Sequence, residues 1–354
     1  MGGVLVKEMM KAALFYQSGE PLEITEVKVP VPGTGEALVK IKSCGICGSD
    51  IHIAYEGITP TGFTPIILGH EPSGIVAAAG PDMKDFQPGD RVAVSSCVTC
   101  GSCENCLTGR ESICINRKML GIHLNGGLAE YMTTPARNLV KLPENISFEQ
   151  GAIITDAVAT PFHAIVKRGK IQAGETVAVF GCGGLGIHAV QIAKICGASQ
   201  IIAVDVNETA LNRAKNVGAT DTVLAHGNNP AAAIKELTKG YGVELAVECV
   251  GHQDTIAAGV ESLKSGGRLV IVGLGAQEIK TLPPTLFVRN EYTILGSYAW
   301  DRADLVSIMK LAEKQTLDLS GSITKRFNLD SSNEALKELH DKTDDPIRIV
   351  INQD

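Results

Sequence analysis

The sequence predicts an α/β protein with two domains: a β-rich domain and a doubly wound parallel sheet. The chain has 354 residues, enough for two domains of ordinary size. Its first part alternates apolar and polar residues in short runs broken by Gly and Pro, as antiparallel strands do. After Phe148, short apolar strands alternate with helical segments, which indicates a parallel sheet with helices on both faces.

The β-rich domain is expected over residues 1–156, with the last section, residues 298–354, folding back onto it. Short antiparallel strands are predicted within residues 11–42, including one at 38–41. Further strands are predicted at 73–79 and 90–95, and the last section is expected to add a helix at 304–314 and a strand at 347–351. Polar loops between the strands hold a cluster of cysteines.

The parallel-sheet domain is expected over residues 157–297. A helical segment at 149–167 leads into it, and a helix at about 187–196 follows its first strand. The predicted strands are residues 177–180, 201–205, 245–249, 269–272 and 293–296.

Composition excludes several classes of function. The net charge of −7 argues against nucleic acid as the main partner, since binding to phosphates requires a basic face. No apolar run approaches the roughly 20 residues that a membrane-spanning helix needs. Residues 1–10 read as a short extension without a cleavage pattern, so a cytoplasmic location is expected.

A glycine-rich turn predicts a dinucleotide site. It follows the strand at 177–180 and precedes a helix, so its backbone can approach a pyrophosphate at the helix N-terminus. Asp205, at the end of the next strand, is placed to accept hydrogen bonds from a ribose diol and to repel a 2′-phosphate, which favours NAD over NADP. Arg213 keeps NADP open as the alternative. The turn residues expected to bind the cofactor are Gly181, Gly183, Gly184, Leu185 and Gly186.

Four cysteines predict a structural zinc site. They follow the pattern C-x2-C-x2-C-x7-C, and four thiolates form a closed tetrahedral shell without a position for substrate. Disulfides or a redox cluster are the alternatives, and Cys97 is interpreted as a spare thiol. The predicted ligands are Cys100, Cys103, Cys106 and Cys114.

Residues 45–52 bring together a thiolate, a hydroxyl, a carboxylate and an imidazole, the groups that zinc chemistry with proton transfer requires. Taken alone, this stretch fits equally a buried turn with two chance cysteines, Cys44 and Cys47. The candidate residues are Cys47, Ser49, Asp50 and His52.

With its partners elsewhere in the chain, this stretch resembles the zinc-dependent medium-chain alcohol dehydrogenases over nearly the whole length. The resemblance is carried by residues 45–52, 69–71, 88–92 and 126–131, the four-cysteine loop, and the glycine turn with Asp205. It implies a GroES-like catalytic domain and a Rossmann NAD-binding domain.

The resemblance implies two zinc ions per subunit. Cys47 and His70 would bind the catalytic zinc, Asp50 would orient His70, and Glu71 would lie close to the metal. Many members use a cysteine or glutamate as third ligand, whereas Asp156 stands at that position here, as in a branch of secondary alcohol dehydrogenases. The alternative is that Asp156 caps a helix and Glu71 completes the shell.

The implied reaction is reversible hydride transfer between an alcohol and NAD. Ser49 would take up the hydroxyl proton and His52 would pass it to solvent. Val272 and Leu274 stand where backbone groups hold the nicotinamide amide in the family, and Arg348 matches an arginine that contacts the cofactor pyrophosphate.

Substrate and assembly are predicted less narrowly. Ser96 stands where relatives for small primary alcohols often have a bulky aromatic residue, which suggests a secondary or otherwise polar alcohol. Polyols and amino alcohols are alternatives, and Arg117 with Lys118 leaves a CoA-thioester alcohol open. The segment around Gly296 resembles that of tetrameric bacterial relatives, so a homotetramer is expected, with a dimer as the alternative.

Two other classes are less well supported. A zinc-free reductase of the same superfamily would keep the glycine turn, but it would need neither Cys47 nor His70. A cysteine-loop binding module would need a basic or exposed interaction face, which the acidic balance does not provide.

Overall fold

The computed structural model describes residues 7–353, so most of the predicted N-terminal extension, residues 1–6, lies outside the described residues. The strands are β1 (Met9–Phe15), β2 (Glu23–Lys28), β3 (Glu36–Ile46), β4 (Ile66–Ile67), β5 (Glu71–Ala79), β6 (Arg91–Val94), β7 (Cys97–Val98), β8 (Lys118–Met119), β9 (Tyr131–Pro135), β10 (Leu139–Lys141), β11 (Thr176–Phe180), β12 (Gln200–Asp205), β13 (Asp221–Leu224), β14 (Val243–Glu248), β15 (Leu263–Ile271), β16 (Thr293–Gly296), β17 (Ile323–Asn328) and β18 (Arg348–Asn352). The helices are α1 (Gly48–Ala54), α2 (Glu104–Leu107), α3 (Phe148–Ile153), α4 (Ala159–Phe162), α5 (Gly186–Ile195), α6 (Glu208–Val217), α7 (Pro230–Leu237), α8 (Gln253–Glu261), α9 (Pro284–Arg289), α10 (Arg302–Glu313) and α11 (Ser332–His340).

The chain divides into two compact units. The first unit comprises residues 7–156, 301–314 and 319–353 of the described range, and the second comprises residues 157–300 and 315–318. Within residues 7–353, every helix is too short or too polar to cross a membrane.

The first unit is built around β3, which is almost entirely buried. Its main sheet has the order β10-β6-β5-β3-β18-β17, and β9 also pairs with β3. A smaller sheet has the order β2-β1-β4. Close packing of β3 against β5 requires a glycine at 74, because a Cβ there would lie 2.0 Å from the carbonyl oxygen of Lys40. The strands around β3 bury one apolar core.

The second unit contains a six-stranded parallel sheet with the order β13-β12-β11-β14-β15-β16, which confirms the predicted fold class. The strands at the centre are almost entirely buried and mostly apolar, because helices cover both faces of such a sheet. β13 was not predicted from the sequence. This strand has the sequence DTVL and lies at an edge, so it lacks the continuous apolar run of the central strands.

The helix predicted at 149–167 is present as one unbroken helical stretch over residues 148–168, but its hydrogen-bond pattern changes along it. After α3 the chain forms a wider π-helical turn at Ile154–Val158, then α4, and then a second π-helical segment at His163–Arg168. Pro161 lies in α4 and lacks an N–H group, so the regular ladder of α-helical hydrogen bonds cannot be maintained there. Asp156 lies in the first of these wide turns.

Candidate functional site

Cys47 lies between the end of β3 and the start of α1, both in the first unit. Its backbone N–H donates to the Asp50 carboxylate, with the N–O distance at 2.9 Å, and the N–H of Asp50 donates back to the Cys47 carbonyl at 3.0 Å. This reciprocal pair closes the first turn of α1. The thiol of Cys47 is thereby fixed at the helix start and is buried.

Four side chains of the first unit converge on one small volume. The potential ligand atoms of Cys47, His70, Glu71 and Asp156 all lie within 4.8 Å of one another, and all four residues are buried. Cys47 Sγ is 3.3 Å and His70 Nε2 is 3.8 Å from Asp156 Oδ2. Ligands of a tetrahedral zinc lie roughly 3.3–3.8 Å apart, given the usual zinc–ligand bond lengths. The donor set and its spacing therefore fit a zinc ion.

His70 presents its second ring nitrogen to Asp50. The distance between His70 Nδ1 and Asp50 Oδ1 is 3.5 Å, and neither atom has a hydrogen-bond partner within residues 7–353. Both side chains are almost completely buried. A carboxylate at this position fixes the ring orientation and leaves Nε2 facing Cys47 and Asp156, which is the usual arrangement behind a metal-bound histidine.

Arg348, the first residue of β18, faces the two carboxylates of the cluster. Its Nη2 atom is 3.3 Å from Glu71 Oε1 and 3.4 Å from Asp156 Oδ2, and its side chain is buried. Burial raises the pKa of Glu71 well above its usual value, although Arg348 opposes the shift. Burial also opposes ionisation of Asp156, but contacts with His70 and Arg348 hold the pKa of Asp156 below its usual value. Of the two carboxylates, Asp156 is the one held in the charged form that binds a metal.

Ser49 and His52 lie on the same short helix as the Cys47 cap. Ser49 is half-buried, with its Oγ atom 3.8 Å from Cys47 Sγ. His52 is one turn further along, with 31% of its side chain exposed, and its Nδ1 atom is 2.6 Å from Glu56 Oε2. The Ser49 hydroxyl therefore lies beside the candidate metal ligands, and the His52 imidazole lies further along α1, near solvent.

The four-cysteine loop forms a second cluster in the first unit. The Sγ atoms of Cys100, Cys103, Cys106 and Cys114 lie within 4.8 Å of one another. Backbone N–H groups of Ser102 and Cys103 lower the pKa of Cys100 to about 5, which favours the thiolate that a metal requires. Burial raises the pKa of Cys97 to about 12, and Cys97 is outside the cluster. All ten cysteines are free of disulfides. The arrangement fits a closed four-thiolate zinc site.

The glycine turn of the second unit has the geometry of a phosphate-binding loop. Gly181 has φ +83°, and a Cβ at Gly186 would lie 1.7 Å from the Gly181 carbonyl oxygen, so neither position accommodates a side chain. A Cβ at Gly183 would meet nothing within 4 Å, so a ligand can approach the backbone there. The turn leads directly into α5, whose N-terminus favours an anion.

Asp205 ends β12, beside the glycine turn. Its two carboxylate oxygens accept the N–H groups of Cys182, at 2.7 Å, and Asn207, at 3.0 Å. The two backbone hydrogen bonds orient the carboxylate. Each of its oxygens can still accept a hydrogen bond from a further donor. This is the arrangement expected for a residue that binds ribose hydroxyls.

Val272 and Leu274 follow β15, on the side of the sheet where the parallel strands end. The N–H of Val272 donates to the Glu248 carbonyl at 2.8 Å, and Val272 is buried. Leu274 is 55% exposed. Their assignment to the nicotinamide site stays a prediction, and the same holds for the contact of Arg348 with a pyrophosphate.

Three features were missed by the sequence analysis. Glu56 pairs with His52, Arg348 pairs with both buried carboxylates, and His188 in α5 forms a hydrogen bond between Nδ1 and the Gly184 carbonyl at 2.9 Å. The four-residue spacing of His52 and Glu56 is a signal that could have been read from a helix. The contacts of Arg348 join residues far apart in sequence and leave no local signal.

Comparisons with known proteins agree with this geometry. A model of the alcohol dehydrogenase GroES-like domain matches residues 33–144, and a model of the zinc-binding dehydrogenase family matches residues 184–314. An alcohol dehydrogenase of Geobacillus stearothermophilus is 37% identical over 86% of this chain and 89% of its own length. An L-threonine 3-dehydrogenase of Bacillus subtilis is 34% identical over 91% of this chain and 92% of its own.

A solved structure described as an NAD-dependent alcohol dehydrogenase is also similar. It superposes with a TM-score of 0.90 at 30% identity, covering 98% of this chain and 100% of that one. With such identities over most of its length, the chain belongs to the zinc-dependent medium-chain alcohol dehydrogenase family.

Proposed function

We propose that the protein is a zinc- and NAD-dependent alcohol dehydrogenase, which transfers a hydride reversibly between an alcohol and NAD and yields the ketone or aldehyde. The observation that carries this proposal is the convergence of Cys47, His70 and Asp156 in a buried cluster next to Ser49. A catalytic zinc ion has four coordination positions, of which the protein fills three. The fourth position stays open for the substrate.

Cys47, His70 and Asp156 would hold the catalytic zinc. Asp156 is favoured over Glu71 because its Oδ2 atom lies 3.3 Å from Cys47 Sγ and 3.8 Å from His70 Nε2, while Arg348 lies against both carboxylates. When bound, zinc supplies a Lewis acid that eases deprotonation of an alcohol hydroxyl, and NAD supplies the hydride acceptor. Cys100, Cys103, Cys106 and Cys114 would hold a second, structural zinc.

The chain itself moves the proton. Ser49 accepts the hydroxyl proton of the substrate and gives up its own, and His52 receives it and releases it to solvent. Asp50 keeps the His70 ring in the orientation that binds metal. Reduction of a carbonyl uses the same groups in reverse.

The cofactor would bind at the glycine turn of the second unit. Residues Gly181, Gly183, Gly184, Leu185 and Gly186 would surround the pyrophosphate, and Asp205 would accept the ribose hydroxyls. Backbone groups of Val272 and Leu274 would hold the nicotinamide amide.

A secondary or otherwise polar alcohol is the proposed substrate class. Ser96 is fully buried, and its hydroxyl has no hydrogen-bond partner among the described residues. β5 and β6 are antiparallel, and Ser73 pairs with Ala93. The residues that follow β6, which include Ser96, therefore run beside the residues that precede β5, which include His70. A small polar residue here, in place of a bulky aromatic one, leaves room for a secondary or otherwise polar alcohol, with polyols and amino alcohols as the alternatives.

We further propose that copies of the chain associate, as a homotetramer or as a dimer. β16 is an edge strand that pairs only with β15 in the described sheet, and α9 buries none of its residues. Leu286 and Val288 of α9 are 46% and 72% exposed. Light scattering checks the assembly, and the double variant Leu286→Glu, Val288→Glu is expected to be smaller than the wild type. A monomeric wild type would contradict this proposal.

A cytoplasmic location is proposed because ten reduced thiols and thiolate-bound zinc suit a reducing compartment. Fractionation of cells that express the tagged protein would test it, and recovery from an oxidising compartment would contradict it.

A panel of secondary alcohols, polyols and amino alcohols tests the function, with NADH absorbance as the readout and zinc measured in the same preparation. Formation of NADH with at least one class, by protein that contains two zinc ions, is the expected result. Absence of NADH with every alcohol, together with absence of zinc, would favour a zinc-free reductase instead.

A further inference from the structure

The strongest contact of His52 is with a residue that the family resemblance does not assign. His52 Nδ1 and Glu56 Oε2 lie 2.6 Å apart, with His52 on α1 and Glu56 two residues beyond its end. The side chains are 31% and 37% exposed, so the pair is partly withdrawn from water. Charged hydrogen bonds of this length are stronger than neutral ones.

The backbone holds Glu56 at this position. The N–H of Glu56 donates to the Ile51 carbonyl at 3.3 Å, and the N–H of Ile58 donates to the His52 carbonyl at 3.0 Å. The preceding ring, Tyr55, stacks on His340 of α11 with the ring centroids 4.5 Å apart. Glu56 therefore follows a helix end that is tied down on both sides, unlike a freely rotating surface glutamate.

The contact determines which ring nitrogen of a neutral His52 carries the proton. A carboxylate only accepts hydrogen bonds, so Nδ1 must be the donor. The lone pair of the ring is then at Nε2, and Nε2 has no hydrogen-bond partner among residues 7–353. A ring that takes up a proton at the end of a relay needs such a free lone pair.

We propose that Glu56 is a positioning residue of the proton relay, which holds His52 in the Nδ1–H tautomer and stabilises the positive charge of the ring. This inference rests on the proposed function. A proton that leaves Ser49 through intervening hydroxyls bonds to Nε2, and the ring becomes a cation whose Nδ1–H still donates to Glu56. A base in solvent then removes the proton from Nε2, and the neutral tautomer returns. Bound protons are conserved in each step, and no electrons are transferred.

Nuclear magnetic resonance of the full chain tests the tautomer without reference to activity. Protein labelled with ¹⁵N-histidine is compared with His52→Gln, which identifies the His52 signals, and with Glu56→Leu. At a pH where the ring is neutral, wild-type His52 is expected to carry its proton at Nδ1. In Glu56→Leu the proton is expected to shift towards Nε2. An unchanged tautomer in Glu56→Leu would overturn the proposal.

Kinetics test the consequence for turnover. Glu56→Leu is expected to lower kcat about fivefold, a small part of what general base catalysis supplies, with zinc content and the KM for NAD unchanged. Free imidazole in the buffer is expected to restore kcat, and Glu56→Gln, which keeps an acceptor but no charge, is expected to be intermediate. Asp341→Asn is the matched control, since Asp341 directly follows α11 and pairs with Lys337 at the same four-residue spacing.

The outcomes separate this proposal from the proposed function. If Ser49→Ala impairs turnover and Glu56→Leu does not, the relay stands and the role of Glu56 is wrong. If Ser49→Ala retains full turnover, the relay itself is wrong, and the role of Glu56 in it fails as well.

Discussion

At the scale of single residues, Asp156 decides the chemistry of the cluster. Its carboxylate is 3.3 Å from Cys47 Sγ and 3.8 Å from His70 Nε2, and Arg348 offsets its charge. Replacing it by an amide removes the charge that attracts a cation but keeps the volume. Asp156→Asn is therefore expected to lower zinc content from two ions per chain to one and to abolish alcohol oxidation, as measured by elemental analysis and NADH formation.

Glu71→Gln is the matched control for Asp156→Asn, because Glu71 belongs to the same cluster and is held by Arg348. It is expected to retain two zinc ions. Two zinc ions and full activity in Asp156→Asn would remove Asp156 from the ligand set.

Ser49 is the second residue whose role a single substitution can test. Its hydroxyl is 3.8 Å from Cys47 Sγ, near the outer limit of a hydrogen bond to sulfur, and Ser49 is not one of the residues that could hold the metal. Ser49→Ala is expected to lower kcat roughly 100-fold, within the range that general acid–base catalysis contributes. Zinc content and the dissociation constant for NAD should remain as in the wild type. Unchanged kcat would contradict a proton relay through this residue.

Most residues of the candidate metal site could be predicted from the sequence, but the position of Arg348 beside its buried carboxylates could not. Cys47, Ser49, Asp50 and His52 are recognisable because they are close in sequence, and the structure brings Cys47 together with His70 and Asp156. Arg348 was assigned to the cofactor alone, yet it lies against Glu71 and Asp156. This contact depends on the pairing of β18 with β3, which no local pattern reports. Removing Arg348 alone would leave the buried carboxylates without their counter-charge, at a cost of about 3–5 kcal/mol.

At the scale of elements, the four-cysteine loop is joined to the start of α10. The N–H of Ser112 donates to Asp301 at 2.8 Å, and the N–H of Arg302 donates to Glu111 at 3.2 Å. Glu111 also accepts from Arg137 at 2.7 Å. Because this loop buries few apolar side chains, it depends on its bound metal for an ordered structure. The start of α10 is hydrogen-bonded to the loop, so its order depends indirectly on the same metal.

Loss of the structural zinc is therefore expected to loosen two separate segments. In Cys103→Ser, hydrogen exchange measured by mass spectrometry should rise in residues 99–115 and also at the N-terminus of α10. Cys97→Ser is the control and should retain two zinc ions, since Cys97 lies outside the cluster. Exchange that rises in the loop alone would show that the contacts with Asp301 and Glu111 do not couple the two elements.

Elements with a strong periodic pattern were predicted, and those without one were not. The strands at the centre of the parallel sheet have a mostly apolar, buried interior, and they were predicted from the sequence. β13 is short and half polar, and it was missed. The wide turn that carries Asp156 was predicted as ordinary helix, because hydrophobic periodicity does not distinguish an α-helical turn from a π-helical one.

At the scale of the whole molecule, cofactor binding should be visible as stability. A ligand that binds only the folded chain stabilises it by about 2.7 kcal/mol at 100 times its dissociation constant. NAD is expected to raise the melting temperature measured by calorimetry, and NADP at equal concentration to raise it less, because Asp205 repels a 2′-phosphate. A larger shift with NADP would overturn the preference for NAD.

The main sheet of the first unit can be completed only near the end of protein synthesis. β3 has β18 as one neighbour, and β18 is synthesised roughly 300 residues after it. The strands of the second unit, by contrast, are all neighbours within one continuous stretch. On the ribosome the second unit can fold while the first still lacks a central strand and the guanidinium that neutralises its buried acids. We therefore expect a metal to be loaded at the cluster of Cys47, His70 and Asp156 only after Arg348 has been synthesised.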